Sequence, residues 1–106
     1  MVELAAPQLK SWLEGQSAPV RLLDVREPWE FALCRIEGST HIPLGELPAR
    51  VGELDPAGPL VLICHHGVRS RHAGMYLERL GFSQLVNLSG GIDGWARSVE
   101  PAMPIY

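Results

Sequence analysis

Cys64 is followed without a gap by His65, His66, Gly67, Val68 and Arg69, and this polar run sits between the apolar "PLVLI" and the amphipathic "SRHAGMYLERL". A chain that needed only a turn here would more often use Pro, Asn, Asp or Ser. A thiol attacks as its thiolate, and an ordinary cysteine with a pKa of about 8.5 is ionised only to a small extent at neutral pH. A working cysteine therefore needs neighbours that favour the anion. The run leads into a helix expected to begin near Ser70, so the N–H groups of His65 to Arg69 and the positive end of the helix dipole can converge on the sulfur. Gly67 permits backbone angles that a side chain forbids. Arg69, with His65 and His66 when protonated, adds positive charge. These residue types in this order suit a sulfur nucleophile that takes up and holds an anionic group.

Other readings use the same residues. A cysteine at a strand end also serves as a small buried hydrophobe. Cys64, His65 and His66, with His41 or His72, are metal-ligand types, but recognisable zinc sites space their ligands, and adjacent Cys-His-His is poor geometry for one ion. Cysteine phosphatases use a loop one residue longer, ending in an arginine that clamps the phosphoryl oxygens; here Ser70 falls where that arginine would stand. The shorter cradle suits a single sulfur better than a tetrahedral phosphate.

The elements that must position this loop follow from the spacing of apolar residues. Pro7 lies in the first turn of a helix of about eight residues in which Leu9, Trp12 and Leu13 share a face and Gly15 ends it. "VRLLDV", residues 20–25, is a short apolar run ending in a polar cluster, the pattern of a buried strand. "EPWEFAL" begins a short helix with Pro28 in its first turn, and "STHIPL" is a strand ended by Pro43. Leu44, Leu47, Val51 and Leu54 fall at helical spacing, although Pro48 and Gly52 leave a helix over 44–54 dependent on tertiary support. "GPLVLIC" is the clearest strand. "SRHAGMYLERL" places Ala73, Tyr76, Leu77 and Leu80 on one helical face, with Gly81 closing it. "SQLVNL" is a further strand, "GGIDGWARSV" a helix presenting Ile92, Trp95, Ala96 and Val99, and "EPAMPIY" an extended tail.

Strands alternating with helices predict an α/β fold, a parallel sheet with helices on both faces, because parallel neighbours need crossovers and the crossovers cover the sheet. Ligands of such sheets bind beyond the carboxyl ends of the strands. Asp24 and Arg26 follow one such end, and Cys64 to Arg69 follow another.

The chain of 106 residues makes one domain, 1–106. Hydrophobic residues form 46% of it and charged residues 20%, enough apolar content to bury a core. Nine basic against twelve acidic residues, net −3 with no block of like charge, argue against a nucleic-acid surface or an anionic-membrane patch. The longest apolar run, Leu60 to Cys64, is far short of the roughly 20 residues that span a bilayer. "MVELAAPQLKSW" shows neither a basic nor an apolar leader region, so a cytoplasmic setting is expected. Cys34 and Cys64 are too few for a disulfide scaffold and are expected as free thiols. With no evident apolar surface stripe, a monomer is expected.

"CHHGVRS" resembles the active-site loop of the rhodanese-like domains, sulfurtransferases whose single-domain members commonly show Cys-x-x-Gly-x-Arg-Ser or Thr. "LLDVREPWEF" is similar to the family's Asp-Val-Arg segment, "HIPLGEL" to its strand and following helix, and "LSGGIDGWA" to its Gly-Gly-x-x-x-Trp motif. These four motifs stand in family order from Leu22 to Ala96. The resemblance implies a central parallel sheet of about five strands and a ping-pong cycle without metal or organic cofactor. A donor such as thiosulfate passes its outer sulfur to Cys64, and the persulfide passes it to cyanide, a thiol or a sulfur-relay protein. It also implies that the amides of His65, His66, Gly67, Val68 and Arg69 hold the persulfide. Where members usually carry Gly-His-Ile, this chain has Cys34, Arg35 and Ile36. Arg35 is therefore a candidate for drawing an anionic donor to the mouth of the site, and Cys34 is expected to be buried and inert.

The glycines of "SGGIDGW" lack Gly-x-Gly-x-x-Gly spacing and are expected to turn the chain into a helix rather than hold a dinucleotide. Asp24 and Arg26 are expected to brace loops, and Trp12, Trp29 and Trp95 to pack in or against the core.

Overall fold

The computed structural model describes residues 1–106. Five strands form a single parallel sheet in the order β1-β5-β4-β2-β3. In chain order they are β1 (Val2–Ala5), β2 (Arg21–Asp24), β3 (Thr40–His41), β4 (Leu60–Ile63) and β5 (Leu85–Ser89). Between and after them run helices α1 (Ala6–Glu14), α2 (Pro28–Leu33), α3 (Leu47–Arg50), α4 (Val68–Arg79) and α5 (Gly91–Ser98).

β4 is the centre of the molecule, and its continuous apolar run is what a strand covered on both faces requires. Its side chains alternate. Val61 and Ile63 join Leu9 of α1 and Ile92, Trp95 and Ala96 of α5 in one cluster. Leu60 and Leu62 join Ala73 and Leu77 of α4 and Leu47 of α3 in the other. Leu60 to Ile63 are at most 1% exposed, so the sheet is closed from above and below. Cys64, the next residue, belongs to the second cluster and marks where strand becomes loop.

The parallel register decides what meets at the carboxyl ends. Asp24 of β2 pairs with Ile63 of β4, so the segment after Asp24 and the segment after Ile63 leave the sheet side by side. The two stretches that the strand-end rule singles out are thus spatial neighbours.

Several boundaries depart from the sequence expectation. Apolar spacing suggested four strands; the fifth, β1, is a four-residue edge strand with three exposed residues, which carries no alternation to read. α4 begins at Val68 rather than near Ser70, because Gly67 adopts φ +100° and starts the helix from a left-handed backbone position. The stretch 44–54 breaks into a 3-10 turn, the single turn α3 and another 3-10 turn, as Pro48 and Gly52 would impose. Trp29 stands 63% exposed instead of packing inward. The tail begins with a turn, buries Met103 and brings Tyr106 back to the loop after β4.

Candidate active site

The Cys64 sulfur lies where β4 ends and α4 begins, and the residue is only 1% exposed. The Gly67 N–H donates to Sγ at 3.0 Å, and Ser70 Oγ lies 3.2 Å from it. The first turn of a helix holds N–H groups without helical partners, and its dipole favours an anion there. α4 directs that end at the sulfur. Gly67 is required twice over: its φ is positive, and a Cβ would come 3.1 Å from Leu88 O and Gly90 N.

The loop is held from beneath by α5. The Ile92 N–H donates to Cys64 O at 2.8 Å and the Asp93 N–H to His65 O at 3.1 Å. Such close backbone approach is possible because Gly91 has no side chain; a Cβ there would lie 2.6 Å from Cys64 O and closer still to His65. Gly91 is therefore part of the sulfur loop's foundation, a role beyond the turn into a helix that its sequence suggests.

Charge surrounds this cradle but is paired. Arg69 donates to both oxygens of Glu30, at 2.7 and 2.9 Å. Those bonds hold the Glu30 carboxyl down at about 2 against the opposing effect of burial, with help from the Glu27 backbone and the Tyr106 hydroxyl. They also hold the Arg69 guanidinium above its usual range, and the nearby sulfur contributes in the same direction. Arg26 is completely buried and donates to Asp24, to the carbonyls of Glu30 and Cys34, and to the Tyr106 hydroxyl. Burial pushes its guanidinium down, yet the bonds to Asp24 and Tyr106 leave it above its usual value. Asp24 and Arg26 thus tie the segment after β2 to the tail.

Tyr106, like Glu30, is one of the site residues that sequence reasoning missed. Its hydroxyl accepts from Arg26 at 2.8 Å and donates to Glu30 at 2.8 Å. Its ring stacks on His65 at 3.9 Å, with Trp29 edge-on at 5.7 Å. Burial first, and the bond to Glu30, push the phenol up to about 12. Tyr106 stands two positions after Pro104 in the tail, which says nothing about where the tail goes. His65, packed under Tyr106 and against His66 at 3.8 Å, is pushed down by burial and then by His66. It favours the neutral form, so it adds less positive charge than the sequence suggested.

The remaining expected residues lie farther out. Val68, at the start of α4, is exposed, as is His66. Arg35 is exposed with its guanidinium 4.4 Å above the Phe31 ring. Cys34 is buried and free, its sulfur 3.9 Å from Arg26. His65, His66 and Asp93 bring three ligand-type atoms within 4.8 Å of one another, but Cys64 is not among them and Asp93 is paired with Arg97. The larger of two surface grooves, about 270 Å³, lies among Trp12, Pro59, Leu85 and β1 and is lined by no cysteine.

With this geometry established, comparison with known proteins is decisive. The family model described as Rhodanese-like domain matches residues 5–98. The chain belongs to the rhodanese-like domain family. The rhodanese-like domain is 38% identical over 97 residues to the "Thiosulfate sulfurtransferase GlpE" of Pseudomonas aeruginosa, covering 92% of this chain and 86% of that protein. It is 37% identical over 81 residues to the "Putative sulfur carrier protein YrkF" of Bacillus subtilis, covering 76% of this chain and 44% of that one. A solved rhodanese-related protein from Thermoplasma volcanium superimposes with a TM-score of 0.83 at 32% identity, over 95% of this chain and 96% of the other. The five-stranded parallel α/β architecture is shared with these structures, and no helix of this rhodanese-like domain is long and apolar enough to cross a membrane.

Proposed function

We propose that this rhodanese-like domain is a cytoplasmic sulfurtransferase that moves sulfane sulfur through a persulfide on Cys64. The observation that carries this reading is the cradle, in which the Gly67 N–H is bonded to Sγ and the first turn of α4 faces it. In the first half-reaction the Cys64 thiolate attacks the outer sulfur of a donor such as thiosulfate. The S–S bond of the donor breaks, and sulfite leaves with its electron pair. The amides of His65 to Arg69 then stabilise the terminal sulfur anion, as preorganised dipoles do in a site that excludes water. In the second half-reaction cyanide or a thiol attacks that outer sulfur, and Cys64 departs as thiolate. Every electron pair is accounted for between donor, cysteine and acceptor, so the cycle calls for neither metal nor organic cofactor. Arg35 serves to draw the anionic donor.

Intact-protein mass spectrometry after mixing with thiosulfate tests this. The gain of one sulfur, removed by cyanide as thiocyanate and absent in Cys64→Ala, is the expected result. No gain by wild type with its thiol shown reactive rejects thiosulfate as donor.

A second reading is favoured by the charge pairing. With Arg69 bound to Glu30 through both oxygens and His65 held toward neutrality, few free cations remain to attract a dianion. This suits a domain that receives sulfur from a partner protein and passes it on. Sulfur uptake from a protein persulfide with negligible steady-state thiosulfate turnover would select it.

A further inference from the structure

Leu85 to Leu88 of β5 are buried, and Asn87, fully buried between Val86 and Leu88, is the one polar residue among them. A buried amide is costly unless its hydrogen bonds are made, and this one makes three. Its Nδ2 donates to Glu3 Oε1 at 2.8 Å and to Gly67 O at 3.0 Å, and its Oδ1 lies 2.5 Å from Ser70 Oγ. Both acceptors facing Nδ2 lack protons, so the amide can point only this way.

Ser70, also fully buried, touches both Asn87 Oδ1 and, at 3.2 Å, the Cys64 sulfur. A hydroxyl has one proton. Asn87 Oδ1 is an amide oxygen that can only accept, and it is a stronger acceptor than a thiol sulfur. The Ser70 proton is therefore committed to Asn87. Ser70 Oγ is within donating reach of the sulfur as well, but with its proton spent on Asn87 it offers the sulfur a lone pair, to which a Cys64 S–H can donate. Each bond then runs outward from Cys64 through Ser70 and Asn87 to Glu3, whose other oxygen accepts from Arg71 at 3.1 Å. Bonds aligned in this way reinforce one another. An ionised or sulfur-loaded Cys64 has no proton to give. Its first link is then lost, and Ser70 has to swing its proton from Asn87 to the sulfur.

We infer that Asn87 is a positioning residue: by competing with the sulfur for the single proton of Ser70, it keeps the unloaded Cys64 as the less nucleophilic thiol. Glu3, from the edge strand, strengthens the competition by polarising the Asn87 amide. When a donor is attacked, the S–H proton passes to water and the Ser70 proton takes its place at the sulfur. The biological meaning of this device rests on the proposed role of Cys64 as the sulfur-loading nucleophile, but its chemistry is measurable without any sulfur donor.

The test is the rate of Cys64 alkylation by iodoacetamide at pH 7, followed by peptide mass. Asn87→Ala is expected to accelerate it about tenfold, the value of one hydrogen bond gained by the sulfur, and Glu3→Gln about twofold. Because Asn87 also anchors Gly67, each substitution is repeated in Ser70→Ala, where both accelerations should vanish. A rate unchanged or slowed in folded Asn87→Ala, or an acceleration equally large without the Ser70 hydroxyl, overturns the inference. Should Asn87→Ala fail to fold, the surface substitution Glu3→Gln decides by the same two criteria. Loss of thiosulfate loading with this alkylation pattern intact would count against the proposed function alone.

Discussion

On one side of Cys64 the polar contacts are neutral: the Gly67 amide, the Ser70 hydroxyl and, behind them, the Asn87 amide. On the other side lies an ionic cluster, Asp24, Arg26, Glu30 and Arg69, joined by Tyr106. The neutral side touches the sulfur, whereas the ionic side is satisfied within itself and braces the loop. The difference teaches how a small domain can hold an anion. The Gly67 amide and the first turn of α4 are fixed dipoles, which stabilise a sulfur anion without the cost of burying a counter-ion next to it, while charges left unpaired in the same space would be costly. Charge here sets the walls, and in the proposed function backbone dipoles hold the cargo.

The comparison is broken most sharply on the neutral side. Gly91→Ala drives a Cβ into the carbonyls of Cys64 and His65 and shifts the cradle. A misplacement of about 1 Å at a reacting atom costs about 100-fold, so the rate of sulfur loading should fall at least that far, with circular dichroism checking that the fold survives. The ionic side should respond in stability first. Arg69→Ala leaves Glu30, 4% exposed, without its partner. Removing one member of a fully buried pair costs about 3–5 kcal/mol. Arg69 is 34% exposed, which screens the pair, and about 2 kcal/mol is expected from urea denaturation.

A pH series sharpens the same contrast. Glu30 is held at about 2 against an ordinary value of 4.5, so it stabilises the fold fully above 4.5 and loses that contribution as pH falls toward 2. The Tm advantage of wild type over Glu30→Gln should follow that window and shrink to nothing at its acid end. The smallest effect is expected at the rim. Arg35→Ala should raise the thiosulfate KM about threefold with kcat unchanged, as loss of one exposed, salt-screened attraction would; an unchanged KM removes Arg35 from the site.

Much of the fold was legible because its signals are local. β4 announced itself as an uninterrupted apolar run, α4 and α5 by apolar residues at helical spacing, and the turn after Cys64 by Gly67. β1 was not legible, since an exposed four-residue edge strand obtains its hydrogen bonds from β5, more than eighty positions away. The site divided along the same line. Cys64 and its loop could be placed because consecutive residues carry them, whereas Tyr106, Gly91 and Asn87 look like a tail, a turn and an oddity in a strand.

By itself the sequence determined the candidate nucleophile, the strand, turn and helix around it, and the strand ends to which the proposed chemistry is assigned, because covalent order and periodicity already place those residues together. The tertiary structure alone decided the electrostatics. It brought Glu30 to Arg69, Tyr106 to Glu30 and Glu3 to Asn87 across 39, 76 and 84 positions. It thereby converted the positive charge expected beside the sulfur into a closed ion pair. Pairings at such separations form only when the parallel register aligns strand ends and burial makes an unpaired polar group too costly to leave.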